Sequence, residues 1–324
     1  MAKFKPFSEL DCSAAAEELV PSVLRAQLKA MCKLRRKALD WKDPEGVHAM
    51  RVCSRRLRSA MSDFRPYVRV RLPRMKLRSV ADALGAVRDQ DVALLALNEF
   101  SEQAKGEAAD GIQSIADEFQ KKRKEARAKL KLAIRPAVID EFREQFQEGL
   151  RELVIVSPKR SSSRSDAPVV TFRDVGRQII VERIKEVRDA SYHLYFPFHI
   201  KELHELRILA KRLRYAIEIF SGCWEPNLHA VAKEVSLLQT SLGELHDCDI
   251  WLEGLSARLK HLERKRYPDE QDRRIRAAAV WLTRHFAAER MVHYRAALGR
   301  WQEWTTNEFL TSLESVVKQD RKAS

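Results

Sequence analysis

The chain has 324 residues, with 60 Lys and Arg against 46 Asp and Glu, for a net charge of +14 and a pI near 9.7. Only 10 Gly and 11 Pro are present, too few for the many tight turns of a sandwich, barrel or propeller. Neither GxxxxGK[ST] nor GxGxxG occurs, which excludes the common phosphate-cradling loops of nucleotide enzymes.

In chain order, periodicity predicts helices near 17–40, 44–64, 69–86, 89–132 and 138–153. A second series follows near 172–192, 199–220, 227–243 and 247–265, then 269–316 with breaks. Asp43-Pro44-Glu45 is a start signal, with Asp as cap and Pro in the first turn. Asp89 and Asp247, each following a Leu-Gly, are expected to cap the next helix in their half. The longest uncharged stretch, Ala190–Ile200, is eleven residues, far short of a bilayer span, so no membrane association is expected. Acidic residues follow closely on Lys3 and Lys5, against a signal peptide. The five cysteines (Cys12, Cys32, Cys53, Cys223, Cys248) form no CxxC pair. They are read as core filler in a reducing cytoplasm, rather than as disulfides or a zinc site.

The chain repeats itself. Val47–Phe64 (VHAMRVCSRRLRSAMSDF) returns as Leu203–Phe220 (LHELRILAKRLRYAIEIF), with His48, Arg51, Arg55, Arg56, Leu57, Arg58 and Phe64 matching His204, Arg207, Lys211, Arg212, Leu213, Arg214 and Phe220. Leu84-Gly-Ala-Val-Arg-Asp-Gln-Asp-Val92 returns as Leu242-Gly-Glu-Leu-His-Asp-Cys-Asp-Ile250. Two ordered, similarly spaced matches indicate a tandem duplication. The expected halves are 1–156 and 169–324, joined by a Ser/Pro/basic linker at 157–168.

Wound as helices, the repeated segments place His48, Arg51, Arg55 and Arg58 along one face, and Met50, Cys53, Leu57, Met61 and Phe64 on the other. The second copy does the same with His204, Arg207, Lys211 and Arg214; Arg56 and Arg212 flank the strips. An ordinary solvated face mixes charge signs, whereas like charges at helical spacing repel. Arginine forks and lysine ammonium groups both suit phosphate oxygens, and an anion favours a protonated histidine. Further cations share faces on the preceding helix of each half: Arg25, Lys29, Lys33 and Arg36, then Arg177, Lys185 and Arg188. Arg71, Arg74 and Arg78 line another helix whose second-half counterpart is mostly uncharged. The basic run from Lys121 to Lys131 is weighed as a solvated face.

Two copies of H-x-x-R-x-x-x-[RK]-R-L-R ending in Phe, each followed by LG-x-x-x-D-x-D, resemble the CHAD family (conserved histidine α-helical domain) from about residue 15 to about residue 310. The resemblance implies an all-α fold: two helical bundles related by a pseudo-two-fold axis, around a central basic groove or pore. It also implies binding of inorganic polyphosphate and, in bacteria, association with polyphosphate granules in the cytoplasm. Carried over by motif, the contacting residues are His48, Arg51, Arg55, Arg58, His204, Arg207, Lys211 and Arg214, with Arg25, Arg36, Arg177 and Arg188 on the same surface. Some family members carry a triphosphate-tunnel catalytic domain; this chain has no ExExK signature, so a stand-alone binder without catalytic residue, cofactor or metal is expected.

Two other classes were weighed. A metal-dependent phosphohydrolase would use His246-Asp247 and the pairs Asp89/Asp91 and Asp247/Asp249, but the first-half equivalent of His246 is Arg88. Nucleic-acid binding would draw on the +14 charge. Only Tyr215 offers an aromatic among the strips for base stacking, so weak, non-specific RNA or DNA binding is the expectation.

Overall fold

The computed structural model describes residues 11–155, 169–224 and 228–319. The expected linker at 157–168, and with it the boundary between halves, lies outside the described residues.

The first half runs α1 (Ala16–Lys33), the one-turn α2 (Arg35–Ala38), α3 (Glu45–Asp63), α4 (Arg74–Gln103), α5 (Glu107–Ala133) and α6 (Pro136–Arg151). The second runs α7 (Phe172–Ala190), α8 (Ile200–Phe220), α9 (His229–Glu263), α10 (Glu270–Thr306) and α11 (Phe309–Lys318). Short 3₁₀ turns at Ser191–Tyr195 and Ser221–Cys223 bracket α8. Among the described residues the fold is all-α apart from a two-residue antiparallel ladder, β1 (Val68–Arg69) on β2 (Val154–Ile155), and one bridge between Ala15 and Thr171. Among the described residues, no helix is long and apolar enough to cross a membrane.

The starts of α3 and α7 follow local chemistry. The Asp43 carboxylate accepts the Glu45 N–H at 2.9 Å, and Thr171 with Asp174 forms a reciprocal capping box. The predicted breaks before Asp89 and Asp247 are corrected. Both aspartates lie inside the long helices α4 and α9. The chain turns instead at Gly106, whose φ of 58° suits glycine, and again after Glu263.

The reason is tertiary. Asp91 is buried on α4 and accepts from Arg123 Nε of α5 at 2.6 Å; Asp249 on α9 accepts from Arg290 Nε of α10, also at 2.6 Å. Each second aspartate of D-x-D thus clamps its helix to the next one instead of capping a new start. Arg123 belongs to the basic run, and Arg127 lies over the Trp41 ring at 5.0 Å. Lys121, Lys122, Lys124, Lys129 and Lys131 are exposed.

The halves share their interior. Phe64, Phe172 and Phe220 meet with ring centroids 4.7–6.3 Å apart, at the centre of one apolar cluster that draws on α1 to α9 and continues to Val317. A smaller cluster joins α4 and α5 to α9 and α10 through Leu97, Phe100, Ile115, Leu255, Leu282 and Phe286. Burial of apolar surface drives this association, so the interface between halves is itself core.

The reading of all five cysteines as thiols is corrected at Cys12 and Cys223. They form a disulfide with Cα atoms 5.3 Å apart at a sequence separation of 211. Neither neighbours the other in sequence, so no spacing rule could pair them. Disulfides persist in oxidising surroundings and are rare in the cytosol, so a cytoplasmic address no longer follows from the cysteines. The other three remain thiols; burial pushes Cys32 up to about 11 and Cys248 up to about 12.

Candidate functional site

The repeated helices α3 and α8 pack on each other in the centre of the fold. Their apolar faces are buried through Met50, Leu57, Phe64, Leu206, Leu213 and Phe220, as the winding predicts. Their cationic residues fall into two groups that differ in what they touch.

One group is engaged by protein. Arg56 of α3 reaches Glu218 of α8, with Nη2 to Oε2 at 3.0 Å. Arg214 lies 3.5 Å from the other oxygen of Glu218 and donates to Ser236 Oγ at 3.0 Å. Both guanidinium groups sit over the Tyr215 ring, at 5.8 and 4.8 Å. The only aromatic of the strips is therefore buried as a platform for two arginines. Deeper in, Arg183 of α7 donates to the buried Asp63 at 3.0 Å and to Glu186. These side chains tie α3, α7 and α8 together.

The second group is crowded with little acid. Lys211 has Arg207 and Arg212 from its own helix and Arg55 and Arg58 from α3 acting on it. Burial and these like charges bring its ammonium down to about 8. Burial, with Arg51 and Arg214 adding to it, also lowers Arg55; burial lowers Arg207 against the favourable pull of Asp247. Cations separated by some 150 residues in sequence thus belong to one electrostatic cluster.

Each copy contributes a histidine beside these cations. His48 is lowered by burial and by Arg88, His204 by burial and by Arg207 and Lys211. His246 of α9 lies against His204 with ring centroids 4.0 Å apart. Burial, His204 and Arg207 push it down to about 4. The Nδ1 atoms of all three are buried without a hydrogen-bond partner among the described residues.

The first aspartate of each D-x-D faces this cluster. Asp89 accepts from Arg51 Nη2 at 3.3 Å, and Asp247 acts on Arg207. Partial burial raises the Asp247 carboxyl, with Arg207 opposing and Asp89 adding to the effect. The glycine of each Leu-Gly lies under the same arginine: a Cβ on Gly85 would sit 3.6 Å from Arg51 Nε, and one on Gly243 3.7 Å from Arg207 Nε. The two motifs therefore face one another within each half.

The other cations of the expected surface lie on α1, α2, α4 and α7. Arg25, Lys29 and Lys185 are exposed on α1 and α7. Lys33 and Arg36 line a shallow hollow with Pro136, Ile139 and Asp140 of α6. Arg188 pairs with Glu314 of α11 at 2.9 Å, and Arg177 lies 3.8 Å from Asp174. Arg74 is exposed, and Arg78 lies 3.7 Å from Asp82.

Sequence reasoning missed Glu218 and His246 as parts of this centre. Glu218 replaces Ser62 of the first copy, and His246 replaces Arg88. Those two departures from the repeat were the available signal.

A family model described as the CHAD domain matches residues 22–256, well over half of the chain. The chain belongs to the CHAD domain family. The CHAD domain crystal structure from the plant Ricinus communis is similar to it at a TM-score of 0.67 and 22% identity, covering 92% of this chain and 96% of that one. PptA from Streptomyces chartreusis is similar at a TM-score of 0.65 and 16% identity, covering 89% of this chain and all of that one. At these identities the likeness is one of fold. A comparison with curated proteins finds no match. In this CHAD domain the two histidine motifs lie on the packed pair α3 and α8, and each LG-x-x-x-D-x-D block lies on the helix that follows.

Proposed function

We propose that this CHAD domain binds inorganic polyphosphate, without turning it over, along the cationic cluster of α3 and α8. The observation that carries the reading is the placement of Lys211 among Arg55, Arg58, Arg207 and Arg212 from both sequence copies. Such crowding costs stability in the ligand-free protein, and a linear polyanion is the ligand that relieves it along its whole length. Arg51, Arg55, Arg58, Arg207 and Lys211 would grip phosphate oxygens, while Arg56 and Arg214 hold the two helices in register.

The order of helices supports a pseudo-two-fold relation of the halves around a central basic groove. α1, α3 and α5 pack on α7, α8 and α10 respectively, each on its counterpart in the repeat. The hydrolase reading is weakened by Asp91 and Asp249, whose carboxylates are taken up by Arg123 and Arg290. Association with polyphosphate granules would follow from the same binding surface.

The test is a titration at fixed salt, comparing long-chain polyphosphate with RNA of equal charge. We expect polyphosphate to bind at least tenfold more tightly. Its log affinity should fall with log salt at a slope of roughly −0.9 per phosphate neutralised, by analogy with DNA. Equal affinity for both polymers would reduce the site to a generic polyanion surface. Replacing Arg55, Arg58 and Lys211 with Glu in a folded variant should abolish binding; undiminished binding would remove these residues from the site.

A further inference from the structure

The two copies differ in the residue that accompanies the motif histidine, and the difference is chemical. In the first copy His48 is next to the permanent charge of Arg88. In the second copy the position equivalent to Arg88 is His246, whose ring lies 4.0 Å from that of His204. Both rings of this pair have an Nδ1 buried without a partner. A buried nitrogen without a partner is costly to leave so, and this pair of imidazoles carries two such nitrogens.

The charges around the pair are mostly cationic. On α8 it faces Arg207 and Lys211, with Glu205 opposing them at His204. On α9, Asp247 acts on Arg207 rather than on the imidazoles. Glu244 is taken by His293 of α10 at 2.9 Å, and His293 also lies 3.5 Å from Glu289. From α3, Arg55 reaches Arg207 and Lys211. Burial first, and then the net positive field, disfavour the protonated form of both imidazoles.

We infer that His204 and His246 form a proton-gated phosphate subsite in the second-copy part of the cluster, whereas the first-copy part, with the permanent charge of Arg88 beside a single histidine, takes phosphate with a weaker dependence on pH. This inference rests on the polyphosphate reading and deepens it. A phosphate group arriving beside Arg207 cancels the local positive field, so protonated imidazoles become favoured and donate to its oxygens. Binding therefore takes up protons, and affinity rises as pH falls. Each proton taken up changes affinity by at most about tenfold per pH unit. His246 starts low, at about 4, so the ligand must raise it before it contributes.

The experiment titrates the full chain with linear polyphosphate at fixed ionic strength, between about pH 8 and about pH 6, where histidines answer to their surroundings. The wild-type protein should bind severalfold more tightly at the lower pH. H246R, which recreates the first-copy chemistry, should tighten binding at the higher pH and flatten the dependence. R88H, which recreates the second-copy chemistry, should weaken binding at the higher pH and steepen the dependence. Identical slopes for the wild type and a folded H246R would overturn the inference. If H246R does not fold, R88H decides alone, and an unchanged slope there overturns it equally. Absence of wild-type binding at every pH would instead remove the polyphosphate reading on which it rests.

Discussion

Lys211 shows at the residue scale how a site and the fold's stability oppose each other. Its ammonium stands at about 8 in the fold against an ordinary 10.5. Between those values the unfolded chain binds the proton more strongly, so this group's contribution to stability rises with pH across that window. Below about 8 the whole penalty is present. Replacing Lys211 with Gln should therefore stabilise the ligand-free protein at neutral pH, by up to about 3 kcal/mol from the linkage of pKa to free energy, while weakening polyphosphate binding. Thermal melts of the two proteins with and without polyphosphate would show the crossover. A lower Tm for the ligand-free K211Q variant would mean that the lysine contributes packing or hydrogen bonding that outweighs its repulsion.

At the scale of elements, the long helices approach closely where glycine allows it. A Cβ on Gly111 of α5 would fall 2.0 Å from the Arg274 carbonyl oxygen of α10 and 2.8 Å from Ala278 Cβ. Backbone cannot yield as a side-chain tip can, so Gly111→Ala must push α5 off α10. Overpacking of this kind costs about 1–3 kcal/mol. Urea denaturation should show a loss in that range or above it. Gly85 and Gly243 make the contrast: each would place a Cβ at ordinary contact distance from an arginine side chain, so alanine there is expected to be mild in stability. The motif glycines and the packing glycines look alike in sequence, and only their neighbours distinguish them.

For the whole molecule, the disulfide closes a loop that runs from the first described residues to the end of α8. Cys12 follows Asp11 and Cys223 follows the motif helix, so the bond joins the two halves beside the Ala15–Thr171 bridge. Cross-links that close long loops restrict the unfolded chain most, with about 2–4 kcal/mol being typical. Non-reducing peptide mapping should recover the Cys12 and Cys223 peptides joined, and reduction should lower the Tm by several degrees. Two free thiols at these positions in the oxidised protein would refute the pairing. Because the core passes from one half into the other, heat should unfold the halves in one transition, in both redox states.

The repeat itself set most of what could be read before any coordinates. Apolar periodicity in Val47–Phe64 and Leu203–Phe220 told which face of each helix is buried, because burial on a helix recurs every third or fourth residue. The same periodicity put His48, Arg51, Arg55 and Arg58 on one line, and their counterparts on another. Local pattern also found the start of α3, although Pro44 rather than Asp43 holds the cap position and the Asp43 carboxylate accepts only the Glu45 N–H. It failed at Asp89 and Asp247, because an aspartate after glycine looks like a cap whether or not a distant arginine awaits the next aspartate. It failed at the cysteines for the same reason. Composition, repeat and motif thus determined an all-helical CHAD domain with two cationic strips. Only the tertiary structure decided that α3 and α8 bring those strips into one field, that Glu218 engages two of the arginines, and that Cys12 meets Cys223. Those outcomes depend on packing between segments far apart in the chain, and no spacing along one helix encodes them.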